Sequence, residues 1–182
     1  MDNQIKEIAE RLCGLRDVLQ LSVEDFAQLC GIDKAEYEKA ETGEGDISLS
    51  MLQKIARKNN VSLDELMFGL EPRMTKFFLT RKGAGVSIER REAYKYQSLA
   101  SGFKGRLMDP FLVTVSPNDE PLSLNKHAGQ EFDIVVKGTL LISIDGKEHI
   151  LRPGDTIYFN AQYLHGMKAL NGEEAQFIAI II

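Results

Sequence analysis

Apolar residues recur along the chain with two different periods, and the change comes after residue 70. In the first part they return every three or four positions, as in Ile5, Ile8 and Leu12, which is the spacing of an amphipathic helix. Capping residues and glycines separate this helix from further short helical segments. The pattern predicts five helices within residues 1–70, with a tight turn at Gly31 between the second and the third.

From Phe111 onward the apolar positions form short runs that are rich in β-branched residues, which is typical of strands. The runs read FLVTV, EFDIVV, TLLISI, HIL, TIYF and AQFIAIII, with Gly-containing turn signals between several of them. Short strands at regular spacing predict a jelly-roll barrel. The chain is therefore predicted to hold an all-α domain at 1–70, a linker with lead-in strands at 71–104, and an all-β barrel at 105–182.

Composition places the chain among globular proteins. Its 182 residues allow one large domain or two small ones, and 43% of them are hydrophobic and 27% charged. The sequence contains no apolar run of the roughly 18 residues that a membrane span needs, and its first residues lack the features of a signal peptide. We therefore expect a cytoplasmic protein with no membrane partner, in which Cys13 and Cys30 are reduced.

Two of the three histidines lie in a pattern that favours a metal site. His127 and Glu131 are four positions apart, so in a strand their side chains would share one face with Asn125. With His165 they would form a set of two imidazoles and one carboxylate, which suits Fe(II), with Mn, Ni or Zn as alternatives. A barrel whose polar residues bind an organic ligand, or nothing, is the other interpretation. His149 is expected to be a surface residue.

The spacing around these residues resembles the two motifs of the cupin family, small β-barrels with a metal or ligand site inside. Gly138 follows Glu131 at an offset of seven residues, and Gly154 precedes His165 by eleven. The resemblance implies that His127, Glu131 and His165 are the metal ligands. Asn125 replaces the first histidine of the family pattern, which makes it a weak ligand or a ligand-facing amide. The second motif departs at three further positions, which hold Asn160, Gln162 and Ala169.

The segment SVEDFAQLCGIDKAEYEKAETGEGDISLSMLQKIARKNNVSLDELM resembles the phage-repressor-like (XRE-type) helix-turn-helix domain. The matching features include Phe26-Ala27, Gly31, the Glu41-x-Gly43 pair and the VSLDEL stretch. The resemblance implies that the third helix enters the major groove of double-stranded DNA, and that the start of the second helix touches phosphate. By position in that family, the DNA-binding residues are Ser22, Val23, Lys34, Ala35, Glu36, Glu38 and Lys39.

A repressor-like domain followed by a single cupin resembles a large group of bacterial transcription regulators, in which the cupin senses an effector. The resemblance covers nearly the whole chain and implies a small-molecule effector and a homodimer. The charge opposes this function, because residues 1–70 hold 8 Lys and Arg against 14 Asp and Glu, while 71–182 hold 14 against 13. DNA affinity depends on Lys and Arg, so the acidic third helix could instead be a solvated surface.

The second hypothesis is an enzyme. A small group of non-haem iron oxidases, the hydroxypropylphosphonate epoxidases, resembles this chain in architecture and in its His-x3-Glu plus distant His. Tyr94 and Tyr96, with Arg90 or Arg91 upstream, could then hold an anionic substrate in a ligand pocket, although ordinary packing at a strand edge would also explain them. The regulator is favoured because it is the commoner function of this architecture. The third hypothesis is a ligand-binding or oligomerisation module with neither activity.

Overall fold

The structure, a computed structural model, describes residues 3–44, 47–91 and 94–182. The chain divides into two compact units. The helical unit comprises Met1–Phe77 with Ser101–Gly105, and the β unit comprises Phe78–Ala100 with Arg106–Ile182. Among the described residues, no helix combines the length and the apolar composition needed to cross a membrane.

The helical unit contains five α-helices in its described residues, as the apolar periodicity predicted. Four of them begin at a capping side chain that accepts a hydrogen bond from the backbone N–H three residues later, namely at Ser22, Asp33, Ser48 and Ser62. These caps explain why each of the four helices begins where it does. The helices are α1 (Asn3–Val18), α2 (Val23–Cys30), α3 (Lys34–Thr42), α4 (Leu49–Asn59) and α5 (Leu63–Phe68).

Helices α2 and α3 form a helix-turn-helix whose turn is residues 31–33. Gly31 has φ of 64°, in the left-handed region that disfavours side chains. There its N–H donates to the carbonyl of Gln28 at 3.1 Å, and the N–H of Ile32 donates to that of Ala27 at 2.9 Å. These bonds satisfy the last carbonyls of α2 and turn the chain directly into α3.

Aromatic packing and one partly buried ion pair hold α3 in place. The rings of Phe26 and Tyr37 are both fully buried, and their centroids are 5.0 Å apart. Arg16 Nε lies 2.7 Å from Glu41 Oε1, and Arg16 Nη1 donates to the carbonyl of Leu21 at 2.9 Å. Glu41 therefore has a structural role, and it is absent from the exposed side of α3.

Replacing Phe26 with alanine should destabilise the helical unit by about 3–5 kcal/mol, because the change leaves a cavity against Tyr37. The measurement is urea unfolding followed by far-UV circular dichroism. Leu29→Ala is the matched control, since Leu29 lies on the same helix but is 40% exposed. Equal losses of stability in the two variants would show that Phe26 does not anchor the core.

The β unit contains nine strands in its described residues, arranged in two antiparallel sheets. The strands are β1 (Val86–Arg91), β2 (Tyr94–Ser98), β3 (Asp109–Val115), β4 (Gln130–Lys137), β5 (Leu140–Ile144), β6 (Lys147–Leu151), β7 (Thr156–Asn160), β8 (His165–Ala169) and β9 (Ala175–Ile181). The six-stranded sheet has the order β1-β2-β3-β9-β4-β7, and the three-stranded sheet has the order β6-β5-β8.

Alternation of side chains places the core of the β unit on one face of the six-stranded sheet. Every second residue of β3 and β9 is buried, for example Phe111, Val113 and Phe177. The same alternation along β4 buries Glu131, Asp133 and Val135. The sheet thus directs two acids into its apolar core, where Glu131 is opposite Ile181 and Asp133 is opposite Ala179 on β9.

Strand β8 is absent from the runs that the sequence predicted. Its residues, HGMKA, include no β-branched side chain, so they carry no local strand signal. Pairing with β5 makes this segment a strand, with Ile144 opposite His165. The strand that presents His165 is therefore a product of tertiary structure.

Candidate metal centre and nucleic-acid interface

His127, Glu131 and His165 each bring one ligand atom to a common point, and these atoms all lie within 4.8 Å of one another. Nε2 of His127 is 3.0 Å from Oε2 of Glu131, and Nε2 of His165 is 3.9 Å from the same oxygen. The three side chains are only 8%, 5% and 7% exposed, respectively. The structure brings together the three residues that the sequence singled out as metal ligands.

His127 reaches the cluster from a bent segment. The prediction that His127 lies in a strand was therefore wrong. Strand β4 begins only at Gln130, and the chain bends at residues 128–129. Gly129 has φ of 92°, and a Cβ there would lie 1.8 Å from the carbonyl oxygen of Ile182. The backbone N–H of His127 donates to the carbonyl of Ala161 at 2.8 Å, which anchors the segment beside the sheet.

His165 stands at the start of β8, where its backbone exchanges two hydrogen bonds with Asn125, at 2.8 and 2.9 Å. The next residue is Gly166, and a Cβ there would lie 2.3 Å from the carbonyl oxygen of Ser123. The close approach of this neighbouring segment therefore requires glycine. The Phe159 ring packs on the His165 imidazole with centroids 5.0 Å apart and shields it from water.

In both imidazoles, Nδ1, the ring nitrogen that does not face Glu131, lies next to a backbone carbonyl. Nδ1 of His127 is 3.1 Å from the oxygen of Ala128, and Nδ1 of His165 is 2.9 Å from that of Tyr163. A carbonyl only accepts, so Nδ1 carries a proton in each ring, and Nε2 of a ring in its neutral form keeps its lone pair. A proton on Nε2 of His127 would serve the 3.0 Å contact to Glu131, and a cation in its place would meet two Nε2 lone pairs and the carboxylate. Such a set of acceptors fits a divalent cation. Metal-bound histidines usually donate their other ring N–H to a carbonyl or carboxylate, as both histidines do here.

The exposed side of α3 contains the residues that the sequence assigned to DNA. Lys34, Ala35, Glu36, Glu38 and Lys39 are all exposed. Nζ of Lys34 is 3.0 Å from Oε2 of Glu24 on α2, so part of its charge is already compensated.

At the start of α2, Ser22 is exposed and Val23 is half-buried. The Ser22 hydroxyl donates to Oδ2 of Asp25 at 2.6 Å and accepts from the Asp25 N–H at 3.1 Å. Glu24 and Asp25 lie in the first turn of this helix. Their carboxylates would repel a phosphate group there, which weakens the site expected for it.

Two protein-family models match the chain. Residues 15–66 match the family described as helix-turn-helix, and residues 111–181 match the cupin domain family. The chain joins a helix-turn-helix domain to a cupin domain. The two-domain fold class predicted from the sequence is thus confirmed.

Solved structures of similar fold extend over nearly the whole chain. An HTH_3 family transcriptional regulator from Vibrio cholerae has a TM-score of 0.67 and 24% identity, covering 98% of this chain and 96% of its own. Hydroxypropylphosphonic acid epoxidase from S. wedmorenis has a TM-score of 0.53 and 21% identity, covering 100% of both chains. The Fe(II) form of HppE has a TM-score of 0.54 and 21% identity, covering 99% and 100%. These likenesses show the fold. No curated protein sequence matches the chain.

Burial has opposite effects on two ionisable groups of the cupin domain. It lowers the pKa of the His165 imidazole below its ordinary value, although the Tyr163 carbonyl and Glu131 partly oppose this. Burial raises the pKa of the Asp133 carboxyl well above its ordinary value, and the neighbouring Glu131 raises it further. The site thus favours a neutral imidazole, the form that binds metal ions.

Asp133 is a residue that the sequence interpretation missed. It is fully buried, and neither carboxyl oxygen has a hydrogen-bond partner among the described residues. Leaving such a group unpaired costs about 1–3 kcal/mol. The signal was present in the run EFDIVV, where an acid two positions after Glu131 must share its face of a strand.

The residues expected at a ligand pocket lie in different places. Tyr94 lines a pocket of about 630 Å³, and its hydroxyl donates to the carbonyl of Met167. Tyr96 packs edge-to-face on Phe111, and Asn125 is exposed beside His165. The side chains of Arg90 and Arg91 lie outside the described residues. Besides Tyr94, the lining of the pocket includes Asn118, Glu120, Leu122, Met167 and Lys168.

Substitution of either clustered histidine should abolish binding of a divalent ion. We expect about one ion per chain in the unmodified protein, and a loss of at least about 100-fold in affinity for His127→Ala or His165→Ala, because the remaining ligands cannot close the site. The measurement is titration with Mn(II) or Zn(II) against a competing chelator. His149→Ala is the control, since His149 is exposed on β6. Equal affinities in all variants would exclude the cluster as the metal site.

The lowered pKa of His165 predicts a pH effect on the metal-free protein. The unfolded chain titrates this group at about 6.5 and binds more protons there than the folded chain does, so stability is lost as pH falls below that value towards the folded pKa. In chelator, the melting temperature should fall more between pH about 7.5 and about 5.5 for the unmodified protein than for His165→Gln. Calorimetry of both proteins tests this, and identical falls would contradict it.

Proposed function

We propose that the protein is a bacterial transcription regulator, in which the helix-turn-helix domain binds operator DNA and the cupin domain binds a metal ion and a small-molecule effector. One observation carries this proposal. Helix α2, the three-residue turn at 31–33 and helix α3 form a helix-turn-helix within the matched region, and the outer side of α3 is exposed. A second helix of this kind reads bases in the major groove. The similar regulator from Vibrio cholerae supports the assignment.

The charged residues on and beside α3 would determine how strongly this helix binds DNA. Lys39 and Lys34 are its basic groups, and Glu24 already holds Lys34. Glu36 and Glu38 would face a polyanion unless one of them accepts a hydrogen bond from cytosine N4. Affinity from phosphate contacts is therefore low and sensitive to salt, and a larger share of recognition falls to base contacts. Basic residues after the domain, including Arg73 and Lys76, would supply the missing positive charge.

In the cupin domain, His127, Glu131 and His165 would hold the ion, with Fe(II), Mn, Ni or Zn as candidates. Three protein ligands leave coordination positions for a small molecule, and the bound ion would supply Lewis acidity there. Tyr94 lines a pocket of the cupin domain. Asn125 and Tyr96 are further ligand-facing candidates by the resemblance alone. An effector bound in this domain would regulate by favouring the conformation with higher or lower affinity for DNA.

The regulator would act as a homodimer that reads two half-sites about one helical turn apart. It would work in the cytoplasm, where bacterial operator DNA lies.

A second function, a mononuclear non-haem iron oxidase, is favoured by one observation. The cluster of two histidines and one glutamate is a set that leaves room for substrate and O₂ on iron. The fold also matches hydroxypropylphosphonic acid epoxidase over the whole chain. In that case the helix-turn-helix would be a scaffold, and purified protein loaded with Fe(II) would select no DNA sequence.

Selection of bound sequences from random DNA should enrich a two-fold symmetric motif. On that motif Glu36→Arg should tighten binding several-fold, because it removes a repulsive charge and adds an attractive one. Lys39→Ala should weaken binding to all sequences and lower the salt slope by about 1.

The control for both variants is Lys147→Ala, since Lys147 is an exposed lysine of the cupin domain. A selective loss of affinity for the best site in Glu36→Arg would instead identify Glu36 as a base-reading residue. Absence of any enriched motif, at low and moderate salt and with and without metal, would reject the regulator.

A further inference from the structure

Asp133 is a buried acid of the cupin domain with no hydrogen-bond donor beside it among the described residues, and its neighbour Glu131 is a second acid. It is 0% exposed, and both of its carboxyl oxygens are without a hydrogen bond among the described residues. Its neighbours across the sheet are apolar, with Ala179 on β9 and Ile157 on β7. Buried acids without partners are rare, and an explanation in terms of a water molecule, an ion or a ligand is usually required.

The register of β4 places this acid next to the metal-binding cluster. Asp133 follows Glu131 by two positions, so both side chains lie on the inward face of the strand, with their backbones roughly 7 Å apart. Glu131 is itself 3.0 Å from His127. Asp133 is not among the residues whose ligand atoms lie within 4.8 Å of one another. It therefore borders the cluster and lies outside the direct ligand set.

We propose that Asp133 is a positioning residue of this site, whose carboxyl forms a hydrogen bond with the water or effector atom that completes the coordination of the ion. The inference rests on the proposed metal-binding role of His127, Glu131 and His165. A carboxyl group can accept such a bond when ionised and donate it when protonated, so either form can fill this role. The effector must then present a polar oxygen or nitrogen atom beside the ion, because an apolar group would leave Asp133 unpaired.

Two readouts of opposite sign separate this role from a purely structural one. Asp133→Val removes an unpaired polar group, so the metal-free protein should melt at a higher temperature than the unmodified protein. The same variant should bind Co(II) about 10–100-fold more weakly, which is the usual effect of losing an outer hydrogen-bonding partner of a metal site. Its Co(II) absorption spectrum should also shift, because the spectrum reports the groups around the ion.

The experiment is a Co(II) titration of the full-length metal-free protein and its variants. Asp133→Asn keeps the size and can still bond to a bound atom, so it should retain affinity to within about tenfold and restore most of the spectrum. Ser143→Ala is the matched control, since Ser143 is a buried polar residue of β5 in the same domain. It should change neither the affinity nor the spectrum.

The outcomes distinguish the two levels of the proposal. Full Co(II) affinity and an unchanged spectrum in Asp133→Val overturn the role of Asp133 and leave the metal site intact. If Asp133→Val does not fold, Asp133→Ala takes its place because it also removes the carboxyl group, and the same unchanged values in that variant overturn the role. Absence of Co(II) binding in the unmodified protein overturns the metal site and this inference together, while the DNA selection tests the regulator separately.

Discussion

The cupin domain depends on one constraint, the convergence of two imidazoles and one carboxylate on a common buried point. Backbone carbonyls accept from Nδ1 of His127 and His165, so Nε2 is the nitrogen that each ring turns towards Glu131. A proton on Nε2 of His127 or a bound cation would compensate the charge of the carboxylate there. The close backbone approaches at Gly129 and Gly166 fix the two histidine-bearing segments, so the backbone determines where the two imidazoles meet Glu131.

The sequence predicts most of the structural features that depend on residues close together along the chain. Capping at Ser22 and Ser62 and the glycine turn at Gly31 are local signals, and the helices begin and end accordingly. The three residues of the candidate metal centre were identifiable because their spacing resembles a family motif. Strand β8 and the bend before β4 were not, since pairing with distant segments determines both. The inward position of Asp133 follows from the alternation of side chains along a strand. Its lack of a hydrogen-bond partner among the described residues is visible only in the structure.

The acidic charge of the helix-turn-helix domain has a physical consequence for any DNA recognition by it. Non-specific affinity comes from phosphate neutralisation, and this domain offers little of it. Glu41 does not add to the problem, because Arg16 holds it inside the domain at 2.7 Å. Exposed carboxylates do lie on α3 and at the start of α2, the two places expected to contact DNA. A weak non-specific background would raise the ratio of specific to non-specific binding for whatever sequence the helix reads.

A regulator and an oxidase built on this fold would both use an ion with open coordination positions. Thermodynamic linkage does separate them. If a ligand of the cupin domain changes the affinity for DNA, then DNA changes the affinity for that ligand by the same factor. An enzyme that keeps the helices only as a scaffold has no such coupling. The residues that decide the function are therefore those that make the binding of DNA and the binding of the cupin ligand depend on each other.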